Sequence, residues 1–168
     1  MGASRQAGIN ALLALLLIVP SGCDQGLSPE DSTSGPGYVS GTIHYRNWPD
    51  SLRDLRLVLF RQFPPASIVS EVLEGTAVVY PPLGDTSLVP FFVDSLPYAL
   101  AAEPGVYDYV VVAEQFGPNV FRDWRPVGQY DLDTNRTIPS PITVTRGDTL
   151  RGIDINVDFL DPPPSPFR

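Results

Sequence analysis

Two tryptophans stand in segments where their rings could bind a ligand. Trp48 directly precedes a proline at a predicted turn, and Trp124 lies in a predicted loop between Pro118 and Pro126. The neighbours of Trp124 in that loop are polar: Arg122, Asp123 and Arg125. A flat aromatic ring beside hydrogen-bonding Arg and Asp side chains is typical of a sugar site. The alternative interpretation is that both rings cover the ends of a hydrophobic core.

Oxygen-bearing side chains recur at alternate positions in a second segment: Asp131, Asp133 and Asn135. This spacing is typical of a calcium loop, but an EF-hand needs Gly at its sixth position, where Arg136 stands, and Glu at its twelfth, where Ile142 stands. The sequence therefore excludes an EF-hand and leaves a looser calcium site or a solvated acidic turn. Oxygen donors without Cys or His would favour Ca²⁺ over zinc.

Residues suited to catalysis are sparse. His44 is the single histidine, it takes a polar position in an alternating segment, and no Gly-x-Ser-x-Gly elbow accompanies it. Asp154 and Asp158 share one face of a predicted strand but lie about 13 Å apart, farther than the roughly 5 to 9.5 Å between paired glycosidase carboxylates. We therefore expect no enzymatic activity and no cofactor.

Charge and composition narrow the classes of partner. The chain of 168 residues has a formal net charge of −8, and all 11 basic residues are arginines. Without lysine it has no P-loop, and it has no polybasic patch for anionic lipid. Its acidity makes nucleic acid an unfavourable partner, and one His with one Cys cannot form a zinc site.

The N-terminus has the pattern of an export signal. Arg5 precedes an apolar run of nine residues from Ala11 to Val19. At about 1.5 Å per residue this run spans roughly 14 Å, less than half of a hydrocarbon core of about 30 Å. We interpret it as a signal peptide rather than a membrane span.

The residues that follow identify the type of signal. Ser21 and Gly22 directly precede Cys23, the single cysteine, and this segment resembles the lipobox of a bacterial lipoprotein signal peptide. The resemblance implies that the Cys23 thiol receives a diacylglycerol and that the chain is cut before it. An ordinary secretory signal, with Cys23 near the cut by coincidence, is the alternative. The expected location is the bacterial cell envelope, at either the inner or the outer membrane.

Changes in composition divide the chain into four segments. Residues 1–22 are the predicted signal peptide, and 23–37 hold the lipidated Cys and a tether rich in Ser, Pro and Gly. Residues 38–160 form the predicted folded domain. Residues 161–168 are a proline-rich tail.

Period-two alternation predicts strands throughout that domain. It is clearest at Gly152–Phe159 and is also present at Val39–Tyr45 and Asp54–Arg61. Val106–Glu114 is apolar on both faces, which is typical of a central strand. Weaker candidates are 76–80, 88–93, 98–102, 128–132 and 141–145, and residues 66–74 have helical spacing with Ser67 as a cap. These patterns predict an all-β fold, an antiparallel β-sandwich of seven to nine strands, immunoglobulin-like or prealbumin-like, with one short helix.

Three pieces of the domain resemble the carboxypeptidase regulatory-like family, which has a transthyretin-like sandwich. The first piece, Ser40–Ile43 with Leu55–Leu59, is similar to the first hairpin of that family. The second is Ala102–Tyr107, which leads into Val110–Val112, and the third is Thr145–Thr149, which leads into Ile153–Val157. The resemblance implies a non-catalytic stabilising or binding module.

Together these observations predict a lipid-anchored, exported β-sandwich with a structural or interaction role. Its expected partners are the membrane, through the lipid on Cys23, and an envelope protein or a glycan. The alternatives are a carbohydrate-binding module using Trp48 and Trp124, and an enzyme of an unrecognised type.

Overall fold

The computed structural model of the chain describes residues 35–82 and 89–166. Every described residue belongs to the compact unit Asp31–Arg168. Cys23, the predicted signal peptide and most of the predicted tether lie outside the described residues.

The described residues form ten strands and one short helix. In chain order they are β1 (Gly37–Arg46), β2 (Asp54–Phe60), α1 (Ile68–Leu73), β3 (Val78–Tyr80), β4 (Ser95–Ala102), β5 (Gly105–Tyr107), β6 (Tyr109–Gln115), β7 (Trp124–Gln129), β8 (Ile142–Val144), β9 (Thr149–Leu150) and β10 (Ile155–Asp158). The predicted all-β class with one short helix is confirmed.

Most strands belong to one curled sheet. Its order is β3-β2-β6-β7-β10-β1-β4, with β9 also paired to β1, while β5 and β8 form a separate small sheet. β1 pairs in parallel with both β10 and β9, and the other pairings are antiparallel. These parallel pairs were not predicted. They join residues more than a hundred positions apart, and local alternation carries no information about such pairing.

The sheet has an inner face and an outer face, which β2 and β6 illustrate. Their alternate residues Leu57 and Val112 point to the inner face, into the main core of the domain. The intervening residues Val58 and Val111 point to the outer face, into a smaller cluster that Ile68 of α1 covers. Because β6 lies between two strands and is covered on both faces, all seven of its residues are buried, as predicted for a central strand.

The helix α1 begins where the sequence predicts. Ser67 has extended backbone, and its hydroxyl accepts a hydrogen bond from the Ser70 amide at 3.3 Å. The Glu71 carboxylate reaches back and accepts from the Ala66 amide at 2.7 Å. The Ser67 bond satisfies a backbone donor that a helix leaves open in its first turn, and the Glu71 bond fixes the residue before the cap. The prediction of a short helix capped by Ser67 is confirmed.

Several strand predictions differ from the structure. The predicted strand 106–114 is interrupted at Asp108, which separates β5 from β6, and described residues 89–93 form no strand. Trp124 begins β7 instead of lying in a loop, although Pro126 follows it. The register of β6 and β7 shifts between Val112 and Ala113. Such a bulge disrupts the ladder locally, so a residue without an N–H is tolerated there.

Candidate functional site

Trp48 is a packing residue at the end of the main core. Its half-buried ring lies 4.7 Å from the ring of Tyr45, 4.8 Å from that of Phe159 and 5.4 Å from that of Phe92. The indole N–H donates to the Val93 carbonyl at 2.9 Å. This arrangement matches the interpretation in which the tryptophan covers the core.

Trp124 lies on the outer face and is half-buried. It packs against the cluster beneath α1, and its indole N–H donates to the Val120 carbonyl at 2.8 Å. The neighbouring Asp123 carboxylate accepts from the Asn119 amide at 2.8 Å and so shapes the turn before β7. Arg125 contacts the Glu114 carboxylate at 3.3 Å, while Arg122 is exposed.

The structure does not bring the two tryptophans together. Trp48 packs against the main core on the inner face, whereas Trp124 packs against the smaller cluster on the outer face. Arg122 lies beside Trp124, whereas Arg125 pairs with Glu114 on the opposite face of the sheet. A binding surface built from the predicted residues therefore has one tryptophan, Trp124.

An apolar groove adjoins Trp124. It has a volume of about 260 Å³ and lies between α1 and the segment that precedes β7. Apolar side chains form most of its lining: Val58, Ile68, Val69, Val72, Leu73, Val79, Val120 and Phe121. Leu73 and Phe121 are 61% and 67% exposed. This groove was not predicted from the sequence, although the helical spacing of Val69, Val72 and Leu73 was a signal for its α1 wall.

Charged residues from β2 also line this groove. Arg56 contacts Asp54 at 2.9 Å and donates a second hydrogen bond to the Pro81 carbonyl at 3.1 Å. Both belong to the lining of the groove, and their side chains are 15% and 16% exposed. The other carboxylate oxygen of Asp54 is buried and has no hydrogen-bond partner in the described part of the chain. The groove is therefore apolar with one ion pair.

A second concavity on the outer face is acidic. It has a volume of about 350 Å³, and its lining includes five aspartates: Asp131, Asp133, Asp154, Asp158 and Asp161. The first two belong to the predicted calcium segment, and the last three come from β10 and its surroundings. Only the fold brings these two sets together.

Hydrogen bonds involve each side chain of the predicted calcium segment, but one carboxylate oxygen of Asp131 is buried and has no partner among the described residues. The Asp131 carboxylate accepts from the Gln129 amide group at 2.9 Å, and that of Asp133 accepts from the Asn135 backbone amide at 2.7 Å. The Asn135 side chain in turn accepts from the Thr137 hydroxyl at 2.6 Å. Within residues 35–82 and 89–166, no group of three or more His, Cys, Asp or Glu is arranged to hold a metal ion.

Two aspartates of this acidic cleft have opposite electrostatic environments. Burial raises the pKa of Asp131, and the nearby Asp133 adds to the effect, while the Gln129 hydrogen bond opposes it. The Asn47 side chain donates to Asp158 at 2.8 Å, and this bond lowers the pKa of that carboxyl, as does the Leu160 amide. A single cleft thus contains one carboxylate that holds its proton more tightly than usual and one that releases it more readily.

Comparison with known proteins found no family model, no curated protein and no solved structure that matches the chain. In the part that the structure describes, no helix is long and apolar enough to span a membrane.

Proposed function

We propose that the protein is a lipid-anchored β-sandwich of the bacterial cell envelope, attached through Cys23, with a binding role and no catalytic role. The Ser21-Gly22-Cys23 segment after the apolar run supports the anchor. Strand β1 begins at Gly37, so a tether of about a dozen residues separates the lipid from the folded domain. Two or three acyl chains would make such an attachment nearly permanent.

The apolar groove beside Trp124 carries the binding role. Leu73, Val120 and Phe121 keep about half or more of their surface exposed around it. Apolar side chains gathered around a concavity are typical of a surface that another molecule covers. Because the lining is mostly aliphatic, we propose that the groove receives apolar side chains of an envelope protein.

A carbohydrate-binding role is the second candidate, and Trp124 favours it because the exposed Arg122 lines a concavity with this ring. In this role, the ring would contact the apolar face of a sugar, and the Arg122 guanidinium would bond its hydroxyls. Trp48 does not contribute to this carbohydrate-binding role, because the rings of Tyr45, Phe92 and Phe159 and the Val93 carbonyl already contact its side chain.

The carboxypeptidase regulatory-like resemblance remains a prediction about the family. Its quoted pieces lie in or beside β1, β2, β5, β6 and β10. The expected first hairpin is not formed, because β1 pairs with β4, β9 and β10, whereas β2 pairs with β3 and β6.

Membrane fractionation tests the anchor. We expect Cys23→Ser to move the protein from the membrane to the soluble fraction, because that variant lacks the thiol that carries the lipid. Ser21→Ala keeps a small residue before Cys23 and should leave the protein on the membrane. Full membrane retention of Cys23→Ser would contradict the proposed anchor.

Site-specific crosslinking tests the groove. A photoreactive residue at position 121 should give adducts with a protein in intact cells, and Leu73→Ser in the same chain should reduce them. The control places the same probe at Leu132, which is 77% exposed and does not line the groove. Equal adducts at both positions, or none at position 121, would contradict a protein partner in the groove.

A further inference from the structure

The strand β4 presents an unpaired edge of the main sheet. It stands last in the strand order, and within the described residues its strand partner is β1. The Tyr45 amide donates to the Asp94 carbonyl at 2.9 Å. Because backbone groups of successive strand residues point to opposite sides, the even-numbered residues of β4 bond to β1. The backbone groups of Ser95, Ala99 and Ala101 therefore point away from the sheet.

The two edges of this sheet differ in length and chemistry. The opposite edge, β3, has three residues and is followed by Pro81 and Pro82. Natural sheets protect their edges by such shortness, by proline and by charged side chains. β4 has eight residues and no charged side chain, and its single proline, Pro97, leaves the half around Ala99 and Ala101 open.

We propose that two copies of this chain pair through β4 in an antiparallel, two-fold arrangement. In the register that places Ala99 opposite Ala101 of the second copy, each of these residues both donates and accepts a backbone hydrogen bond. The two-fold axis repeats the pair, so four N–H···O bonds form at the centre. The two main sheets would then become one continuous sheet.

The residues of the edge favour a second copy over a foreign strand. Ala99 and Ala101 are small and exposed, so neither side chain hinders close approach of its symmetry mate. In this register Glu103 lies opposite Pro97, and the acidic residues at the two ends of β4 do not face each other. Tyr38, which is 46% exposed and lies beside Ala101 in β1, adds apolar surface on both sides of the two-fold axis.

The mass of the full chain in solution tests this pairing. The experiment uses detergent and a reducing agent, so that neither lipid aggregation nor a disulfide through Cys23 contributes. We expect the wild-type chain to have the mass of two copies and Ala99→Pro to have the mass of one. Proline removes an outward amide without removing any bond to β1. Ala99→Ser retains that amide and should remain dimeric.

Amide hydrogen exchange distinguishes loss of the dimer from loss of the fold. In the wild-type dimer the Ala99 and Ala101 amides should exchange slowly, and in Ala99→Pro the Ala101 amide should exchange rapidly while the amides of β6 stay protected. A monomeric wild-type chain, or a dimer that survives the double variant Ala99→Pro with Ala101→Pro, would overturn the proposal. Protection of Ala101 only after another protein is added would assign the edge to a foreign strand and would also overturn it.

Discussion

The inner and outer faces of the main sheet are built on different principles. On the inner face, strands across the sheet contribute apolar side chains to the main core: Val39 and Ile43 from β1, Leu57 from β2, Leu100 from β4, Val112 from β6 and Ile155 from β10. The outer face is apolar over β2 and β6, where a helix of six residues covers it in part and where Val79 and Trp124 from the flanking strands also pack. Over the middle of β7 and over β10 it is acidic. The inner face therefore accounts for the fold, and the outer face presents the apolar groove and the acidic cleft.

Leu57→Ala, on the inner face, should have the largest effect. The Leu57 side chain is 1% exposed within the main core, and truncation of a buried leucine creates a cavity that neighbouring residues only partly fill. We expect a loss of about 3 kcal/mol in the free energy of unfolding. Urea denaturation measures it. A loss below about 1 kcal/mol would show that this face is not the principal core.

The two tryptophans compare the faces directly. Trp48→Ala removes a ring that contacts three aromatic side chains and a hydrogen bond to Val93, so it should cost about 3 kcal/mol. Trp124→Ala should cost about half as much, because its ring borders the open groove. The same denaturation experiment applies to both variants. Equal losses would mean that the cluster under α1 is packed as tightly as the main core.

Ser67→Ala tests how firmly the helix covers the outer face. Loss of the bond to the Ser70 amide should reduce stability by about 1 kcal/mol. Ser70→Ala is the matched control, since that exposed side chain caps no helix, and it should change stability by less than about 0.5 kcal/mol. If both variants behave alike, the cap does not contribute to holding α1 in place.

The smallest expected effect is the change in stability with pH that arises from the acidic cleft on the outer face. The raised pKa of Asp131 means that its contribution to stability is present below the ordinary value of 3.8 and is lost as pH rises through the folded-state value. The lowered pKa of Asp158 means the reverse, with its contribution present above 3.8 and lost as pH falls through the folded-state value.

NMR titration of the carboxyl groups measures both values directly. Asp131→Asn should reduce the loss of unfolding free energy that occurs as pH rises through the pKa of Asp131. Asp158→Asn should reduce the loss that occurs as pH falls through the pKa of Asp158. If Asp158 titrates above Asp131, the environments described for this cleft are wrong.

Local features of the fold were predictable because local residues determine them. Alternation located β10 through Ile155 and Val157. The spacing of Val69, Val72 and Leu73 located α1, with Ser67 as its cap. The parallel pairing of β1 with β10 joins Ile43 to Ile155, and no short-range pattern reports a partner so distant.

The candidate sites were less predictable for the same reason. The acidic cleft joins Asp131 to Asp154 and Asp158, which only the adjacency of β7 and β10 brings together. Trp124 was recognised as a candidate residue, but the helix that completes its groove comes from a segment about fifty positions earlier. The predicted joint role of Trp48 and Trp124 depended on the position of each residue in a predicted turn or loop. Such local signals carry no information about which face each ring occupies.

The parallel pairing also sets the direction in which the chain enters and leaves the sheet. Arg46, the last residue of β1, lies beside Asp158, the last residue of β10, whereas the chain enters at Gly37. Nine residue steps at about 3.3 Å separate those ends by roughly 30 Å. The proline-rich segment after β10 therefore starts at the far end of β1 from the point of entry. The sheet thus holds the incoming and outgoing segments of the chain roughly 30 Å apart at the points where they join it.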